Sequence, residues 1–330
     1  MKAIVYTRHG SPDFLQLEDV DKPIPKEDQL LIKVHAAALN ALDSHLMNGI
    51  PGVASLIDRL SKPKPTIPGV DLAGRVEAIG GKVIRFKVGD EVFGSGRGTL
   101  AEYALSPERA LVLKPASVTF EAAAAISVAG LTALQGLRDR GEIKPGQKVL
   151  IHGAGGGVGT FAVQIAKSFG AKVTAVCGTH NLEMARSIGA DHVIDYTKED
   201  FTQRGPDGHQ EQYDLILSVN GYHPVSAHRR ALKPNGILVM AGAAKSRLLK
   251  AMLQVMLLGP VISKISGQKI RFVGAKVKEE DLLYLSGLLE SGKLNPVIDR
   301  TYPLNETAEA LRYLEQWHSQ GKIIIRVADR

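Results

Sequence analysis

The 330-residue sequence predicts an α/β protein in which a doubly wound parallel sheet accompanies a mostly-β, partly barrel-like portion. Three observations carry this. From residue 148 the chain alternates short apolar runs with helix-forming stretches, the pattern of parallel strands joined by crossover helices. A window at 153–159 packs five glycines between one such run and an amphipathic helix. The first 120 residues, by contrast, read as strands and turns.

Taken in order, "KAIVY", "LLIKVHAAAL", "GRVEAIG" and "EVFG" are strand candidates bounded by Gly, Pro and Asp. "VEAIGGKVIRFKVGDEVFG" has the spacing of hairpins, with Gly80-Gly81 and Gly89-Asp90 as turns. A helix is expected from Glu121–Ala125 through Gly130. "KVLIHG", "KVTAVCG", "HVIDY", "YDLILSVNG" and "GILVMAG" then read as buried strands, with "VGTFAVQIAKSFG" and "NLEMARSIGA" as the intervening helices. "KIRFVGAKV", a helix at 278–291, a Pro-containing turn and a closing helix–strand complete the chain, without internal repeats.

The length suffices for two domains. Lys and Arg number 41 against 34 Asp and Glu, a net +7 with no basic tail, so no nucleic-acid partner is expected. Cys177, the single cysteine, excludes an intrachain disulfide and a cysteine-rich zinc lobe. "MKAIVYTRHG" reads as a strand broken by Arg8 and His9, not as a secretory signal. The longest charge-free run, 149–166, contains the glycines, and the next spans 16 residues. A membrane helix needs ~20, so no membrane insertion and a cytoplasmic location are expected.

After the glycines, Val158, Phe161, Ala162, Ile165, Ala166 and Phe169 recur at i, i+3, i+4, i+7, i+8 and i+11, an apolar helix face. A Gly-rich loop between a buried strand and such a helix holds a pyrophosphate, because the helix N-terminus offers free N–H donors. The register that fits is Ala154-x-Gly156-x-x-Gly159, with Ala in the first glycine's place. Gly156 then lets the backbone approach the pyrophosphate and Gly159 lets helix and strand pack closely. Ala154, Gly155, Gly156, Gly157, Val158 and Gly159 form the expected cradle; the alternative is a turn without ligand.

An NAD-type fold places an acid at the end of the next strand for the ribose 2′-OH. Here that strand ends "AVCGTHN", from Cys177 into Thr179, His180 and Asn181, with Arg186 beyond and no carboxylate. Those donors suit a 2′-phosphate and favour NADPH over NADH, although Thr179 or Asn181 would equally serve as a plain helix cap.

"IHGAGGGVGTFAVQIAK", "PTIPGVDLAGRV", "AGLTALQGL", "ALKPNGILVMAG" and "DRTYPLNETAEALRYLE" together resemble the medium-chain dehydrogenase/reductase superfamily, most of all its zinc-independent quinone oxidoreductase-like branch. The resemblance implies a Rossmann NADPH-binding domain at 122–270 inserted in a GroES-like catalytic domain, 1–121 with 271–330. It also implies that Asn40 and Asp43 line the cleft and that Thr132 lies by the nicotinamide. Asn220, Gly221 and Gly242 are implied near the cofactor, Tyr196 by the adenosine phosphate, and Lys322 in the closing Gly-Lys. A homodimer is usual for the family.

Zinc-dependent relatives carry an early Cys and a later Gly-His-Glu. In "PGVDLAG" Val70 and Asp71 stand in the places of that His and Glu, and "ALNALDSH" has no Cys, so no catalytic zinc is expected. Asp43, Asp71 and His45 are the residual metal-ligand types, and their spacing demands no metal. Without a Lewis acid an alcohol is hard to oxidise, whereas a quinone or α,β-unsaturated carbonyl is already electrophilic. Reduction of such acceptors by NADPH is therefore the expected reaction. The alternatives are a non-catalytic NADPH-binding protein with an RNA partner and an alcohol dehydrogenase-like enzyme. His45 stands where many relatives carry a Tyr, and is either the proton donor or a structural histidine. The segment 242–272 holds six Lys or Arg, no acid and an apolar helical stripe, Leu248 to Met256; it reads as a packed helix or as a lid.

Overall fold

The computed structural model describes residues 1–49, 65–203, 211–219, 223–241 and 262–327. The chain forms two compact units, Met1–Ala129 with Val277–Gly292 and Pro296–Arg330, and Gly130–Lys276 with Lys293–Asn295.

In the first unit, β1 (Lys2–Val5) and β2 (Gln16–Asp19) form a small antiparallel pair. The larger sheet is built from β3 (Gln29–Leu39), β4 (Asp71–Ile79), β5 (Glu91–Ser95), β6 (Tyr103–Pro107), β7 (Leu111–Leu113), β14 (Ile298–Pro303) and β15 (Lys322–Arg326). Its order among the described residues is β14-β15-β3-β4-β5-β7, with β6 paired to β3. The β3–β4 ladder shifts register at Leu31/Ile32 and again at Val34/Ala36, irregularities that bend a long strand and curl the sheet. Inside lie Leu30, Ile32, Val34, Leu72, Val92, Leu100 and Ile325.

Four expectations change here. No strand forms in the 80–90 stretch: Val83 and Phe86 turn into the core while Ile84 is 88% exposed, a three-residue repeat instead of a two-residue one. β4 and β5 are thus one hairpin with a long irregular connection. The mostly-β half also contains a helix, α1 (Ala41–Asn48). The helix expected from Glu121 breaks into α2 (Phe120–Ala124) and α3 (Ser127–Gln135), the first capped by Thr119, whose hydroxyl accepts from the Ala122 N–H. Beyond Pro296, the segment read as a turn continues into β14, whose parallel pairing with β15 no local pattern announces.

The second unit carries β8 (Lys148–His152), β9 (Lys172–Cys177), β10 (His192–Asp195), β11 (Tyr213–Ser218), β12 (Leu232–Met240) and β13 (Lys269–Phe272), all parallel. Their order, β10-β9-β8-β11-β12-β13, is that of a doubly wound dinucleotide-binding sheet. The strand order reverses between β8 and β11, and ligands of such sheets bind outside the carboxyl ends at that reversal. α4 (Gly157–Ser168) follows β8 and buries Phe161, Ala162, Ile165 and Ala166, the face its periodicity predicts. α5 (Leu182–Ser187) follows β9 and α6 (Val225–Arg230) follows β11. α7 (Glu279–Glu290) and α8 (Thr307–Glu315) belong to the first unit. Among the described residues no helix is long and apolar enough to cross a membrane.

Candidate functional site

In the first unit, three neighbouring strands deliver one buried polar group. β3 lies between β15 and β4, with Leu39 opposite Ile323 and Ala38 opposite Asp71. Asn40, the residue after β3, therefore stands beside Lys322, the first residue of β15, while Asp71 opens β4. The Asn40 amide Nδ2 donates to Asp71 Oδ2 at 2.9 Å, and its Oδ1 accepts from Lys322 Nζ at 2.6 Å. Lys322 Nζ also reaches Asp71 Oδ2 at 3.3 Å. Asp71 Oδ1 accepts the Val128 N–H at 2.9 Å, at the first turn of α3, where a negative charge is favoured. Asn40 is the N-cap of α1, and its backbone N–H donates to Asp43 Oδ2 at 2.8 Å, the return half of a capping box.

All four side chains are buried: Asn40 is 7% exposed, Asp43 1%, Asp71 0% and Lys322 3%. Lys322 and Asp71 neutralise each other, and Asp43 is then a second acid without a cation of its own. Burial pushes the Asp43 carboxyl up to about 7, with the Asp71 charge adding and the Asn40 N–H and Lys322 opposing. Its Oδ1 is buried without a hydrogen-bond partner among the described residues. One oxygen accepts an N–H and the other is bare, so donors offset only part of the burial penalty on the charged form. Burial raises Asp71 as well, against the pull of Lys322, Asn40 and the Val128 N–H.

Asn40, Asp43 and Lys322 thus come together, with Asp71 as the shared acceptor. His45 follows Asp43 by two residues, about 200° around the helix. It is half-buried with its ring 6.5 Å from that of Trp317, on another face from Asp43. Thr132 is buried within α3.

In the second unit, Gly153 takes φ +88°, a left-handed turn suited to glycine directly after β8. A Cβ on Gly159 would overlap the Gly153 carbonyl oxygen, and one on Gly155 would overlap the Asn181 amide. A Cβ on Gly156, the N-cap of α4, would meet nothing within 4 Å. The glycines therefore divide: Gly153, Gly155 and Gly159 answer to the protein's own packing, and Gly156 faces open space. Ala154 is fully buried, and Gly157 and Val158 begin α4, whose first-turn N–H groups have no intrahelical acceptor.

At the end of β9, Cys177 is buried, and burial pushes its thiol up to about 11, so it is not a nucleophile. "AVCGTHN" itself holds no carboxylate, but one reaches this strand end. It comes from the neighbouring strand: Asp195 closes β10 in register with Cys177 and is 6% exposed. Thr179 Oγ1 donates to Asp195 Oδ2 at 2.7 Å. Hydrogen bonds from Thr179 and Thr197 hold Asp195 below the usual carboxylate range. Asn181 is 5% exposed, with Nδ2 3.0 Å from His180 Nε2 and a buried Oδ1 that has no partner among the described residues. Tyr196 is half-exposed, and its hydroxyl lies 3.2 Å from where a Cβ on Gly178 would stand. Asn220, Gly221, Gly242 and the stripe from Leu248 to Met256 lie outside the described residues.

Residues 26–116 match the alcohol dehydrogenase GroES-like domain family, and residues 188–325 match the zinc-binding dehydrogenase family. The chain is 38% identical to a 2-methylene-furan-3-one reductase of Solanum lycopersicum, over 98% of this chain and 79% of that protein. With the same coverage it is 35% identical to a chloroplastic NADPH-dependent alkenal/one oxidoreductase of Arabidopsis thaliana. Its fold matches the Escherichia coli quinone oxidoreductase complexed with NADPH at a TM-score of 0.81, covering 99% of this chain and 100% of that one at 25% identity.

The chain belongs to the quinone oxidoreductase-like branch of the medium-chain dehydrogenase/reductase superfamily. It is an oxidoreductase.

For a member of this branch, Asp71 and Asp195 are the residues that sequence reasoning passed over. Asp71 entered only as a substituted metal ligand, and its partnership with Lys322 spans 251 residues. Asp195 was visible in "HVIDY", but only the β9–β10 register brings it to the end of β9.

Proposed function

We propose that the chain is an NADPH-dependent, zinc-independent reductase of α,β-unsaturated carbonyls or quinones. The observation that carries the zinc-free reading is the bonding of Asp71. This carboxylate, the ligand type left in the zinc motif, receives three N–H donors, from Asn40, Lys322 and Val128. Donors aimed at both oxygens, one of them a buried ammonium, repel a cation. Val70 beside it is no ligand.

The residues of the glycine turn fit a dinucleotide. Gly156 opens onto free space at the start of a 12-residue helix, where unpaired N–H groups suit a pyrophosphate. The backbone of Gly156, Gly157 and Val158 would hold it, with His180, Asn181 and Tyr196 toward the adenosine end. NADPH, when bound, supplies a hydride. The names of the curated relatives support an activated alkene or quinone as its acceptor, an electrophile that needs no Lewis acid.

Asn40, Asp43 and Lys322 are assigned to the substrate chemistry of the first unit. Burial raises the Asp43 carboxyl to about 7, the range in which a general acid works best. Asn40 fixes its carboxyl through the capping N–H, and Lys322 with Asp71 keeps the group neutral overall while Asp43 is protonated.

The test is NADPH oxidation against a panel of alkenals, enones and quinones, with NADH in parallel. Turnover of an activated alkene or quinone with preference for NADPH is expected. Turnover of simple alcohols only, or NADH used as well as NADPH, would contradict the proposal.

A further inference from the structure

Four aromatic rings cluster at the carboxyl ends of β8 and β11, where the strand order reverses. His152 ends β8, Ser218 ends β11 directly opposite it, and His228 projects from α6. The His152 ring centroid lies 5.3 Å from that of His228, 5.1 Å from Phe201 and 5.4 Å from His223. His152 is 4% exposed and His228 0%. Neither the glycine turn nor the polar group of the first unit uses them.

Their hydrogen bonds fix where the protons are. His228 Nδ1 is 3.2 Å from the Pro224 carbonyl oxygen, which can only accept, so Nδ1 carries the hydrogen. A neutral imidazole has one N–H, so His228 Nε2 is an acceptor. It lies 3.2 Å from His152 Nδ1, which must then be the donor, with Ser218 Oγ at 3.4 Å as a weaker second partner. Burial supports the neutral state of both rings: it lowers His228 to about 4, with His223 adding and the Pro224 carbonyl opposing. It lowers His152 well below the usual histidine value, helped by His228 and His223. Among the charged groups nearby, Asp200 opposes the lowering of both rings. Asp200 faces His223 at 3.7 Å, Arg229 donates to Gln268, and Arg230 donates to the Thr202 carbonyl.

We propose that His228 is a positioning residue for the dinucleotide, acting through His152 on the strand end that launches the glycine turn. His152 immediately precedes Gly153, and its carbonyl accepts the Val219 N–H at 2.9 Å, which ties β8 to the residue after β11. The next two N–H groups, of Gly153 and Ala154, both donate to Val176. The backbone at the mouth of the turn is thus held from β9 and β11, and the His152 ring is held from α6. An apolar residue of similar size at position 228 would fill the space but would leave the His152 ring free to choose its rotamer and tautomer. This proposal rests on the reading of the second unit as the NADPH-binding one.

The experiment compares wild type, His228→Leu and His228→Gln. The glutamine keeps an acceptor for the His152 N–H, and the leucine does not. Expected is a Kd for NADPH raised about tenfold in His228→Leu, as when only about a tenth of the free protein holds the His152 ring in the binding arrangement. His228→Gln should fall within about threefold of wild type, and kcat at saturating NADPH should change little in either. Nitrogen-15 NMR of the wild-type protein should place the proton of both His152 and His228 on Nδ1. The proposal is overturned if wild type binds NADPH and His228→Leu binds it equally well. It is overturned too if glutamine is as damaging as leucine, or if His152 carries its proton on Nε2. Wild type that binds no NADPH would instead bring down the functional reading, and this proposal with it.

Discussion

The two units bury titratable groups in opposite ways. In the first, burial pushes a carboxyl with one bare oxygen up to about 7; in the second, it lowers His228 to about 4 and His152 well below the usual histidine value. The cause is the same, burial disfavouring charge, and the sign differs because one group is an acid and the other a base. The difference teaches that low polarity alone does not decide whether a site stores protons. The first unit couples Asp43 to an ion pair, Lys322–Asp71, whereas the second locks neutral rings between a carbonyl and a hydroxyl.

The pH dependence of stability follows. Asp43 has a raised folded-state pKa, so its contribution is fully present below the ordinary carboxylate value and is lost as pH rises toward 7. His228 has a depressed folded-state pKa, so its contribution is present above the ordinary histidine value and is lost as pH falls toward 4. Between these limits the two units respond to acid with opposite sign.

Breaking the ion pair should have the largest effect. Lys322→Met leaves Asp71 buried without its cation, and a loss of about 3–5 kcal/mol in urea unfolding is expected. A loss below about 1 kcal/mol would mean that the pair is solvated and that the first unit stores no charge.

Asp43→Asn should come next and act in the other direction. It keeps an acceptor for the Asn40 N–H and abolishes titration, so stability above pH 7 should rise by on the order of a few kcal/mol. The decline between acid and neutral pH should flatten. Parallel pH profiles for variant and wild type would remove Asp43 as the proton store.

The smallest effects on stability separate two glycines of one turn. Gly159→Ala forces a Cβ into the Gly153 carbonyl, an overpacking expected to cost about 1–3 kcal/mol. Gly156→Ala meets open space and should leave stability within about 0.5 kcal/mol of wild type, yet weaken NADPH binding. Unaltered NADPH affinity in Gly156→Ala would move the pyrophosphate away from this turn.

What could be read in the sequence was local. The helix after the glycines buries the face that its 3.6-residue period marks, and within that turn a Cβ would meet backbone at Gly159 and open space at Gly156. Asn40 and Asp43 lie three residues apart, so their capping partnership is a matter of spacing. Lys322 joins them only because β15 pairs with β3 across 282 residues of chain, which no window can see. The same holds for Asp195, supplied by an adjacent strand, and for His228, which meets His152 across 76 residues. The 80–90 stretch misled because turn residues at both ends imitate hairpins, while the side chains between them do not alternate.

The central claim is hydride delivery without zinc, and it is tested most directly by assaying enone reduction with NADPH after exhaustive chelation, with metal content measured on the same sample. Undiminished kcat in metal-free protein is the predicted result. Activity that falls with zinc content and returns when zinc is restored would contradict it.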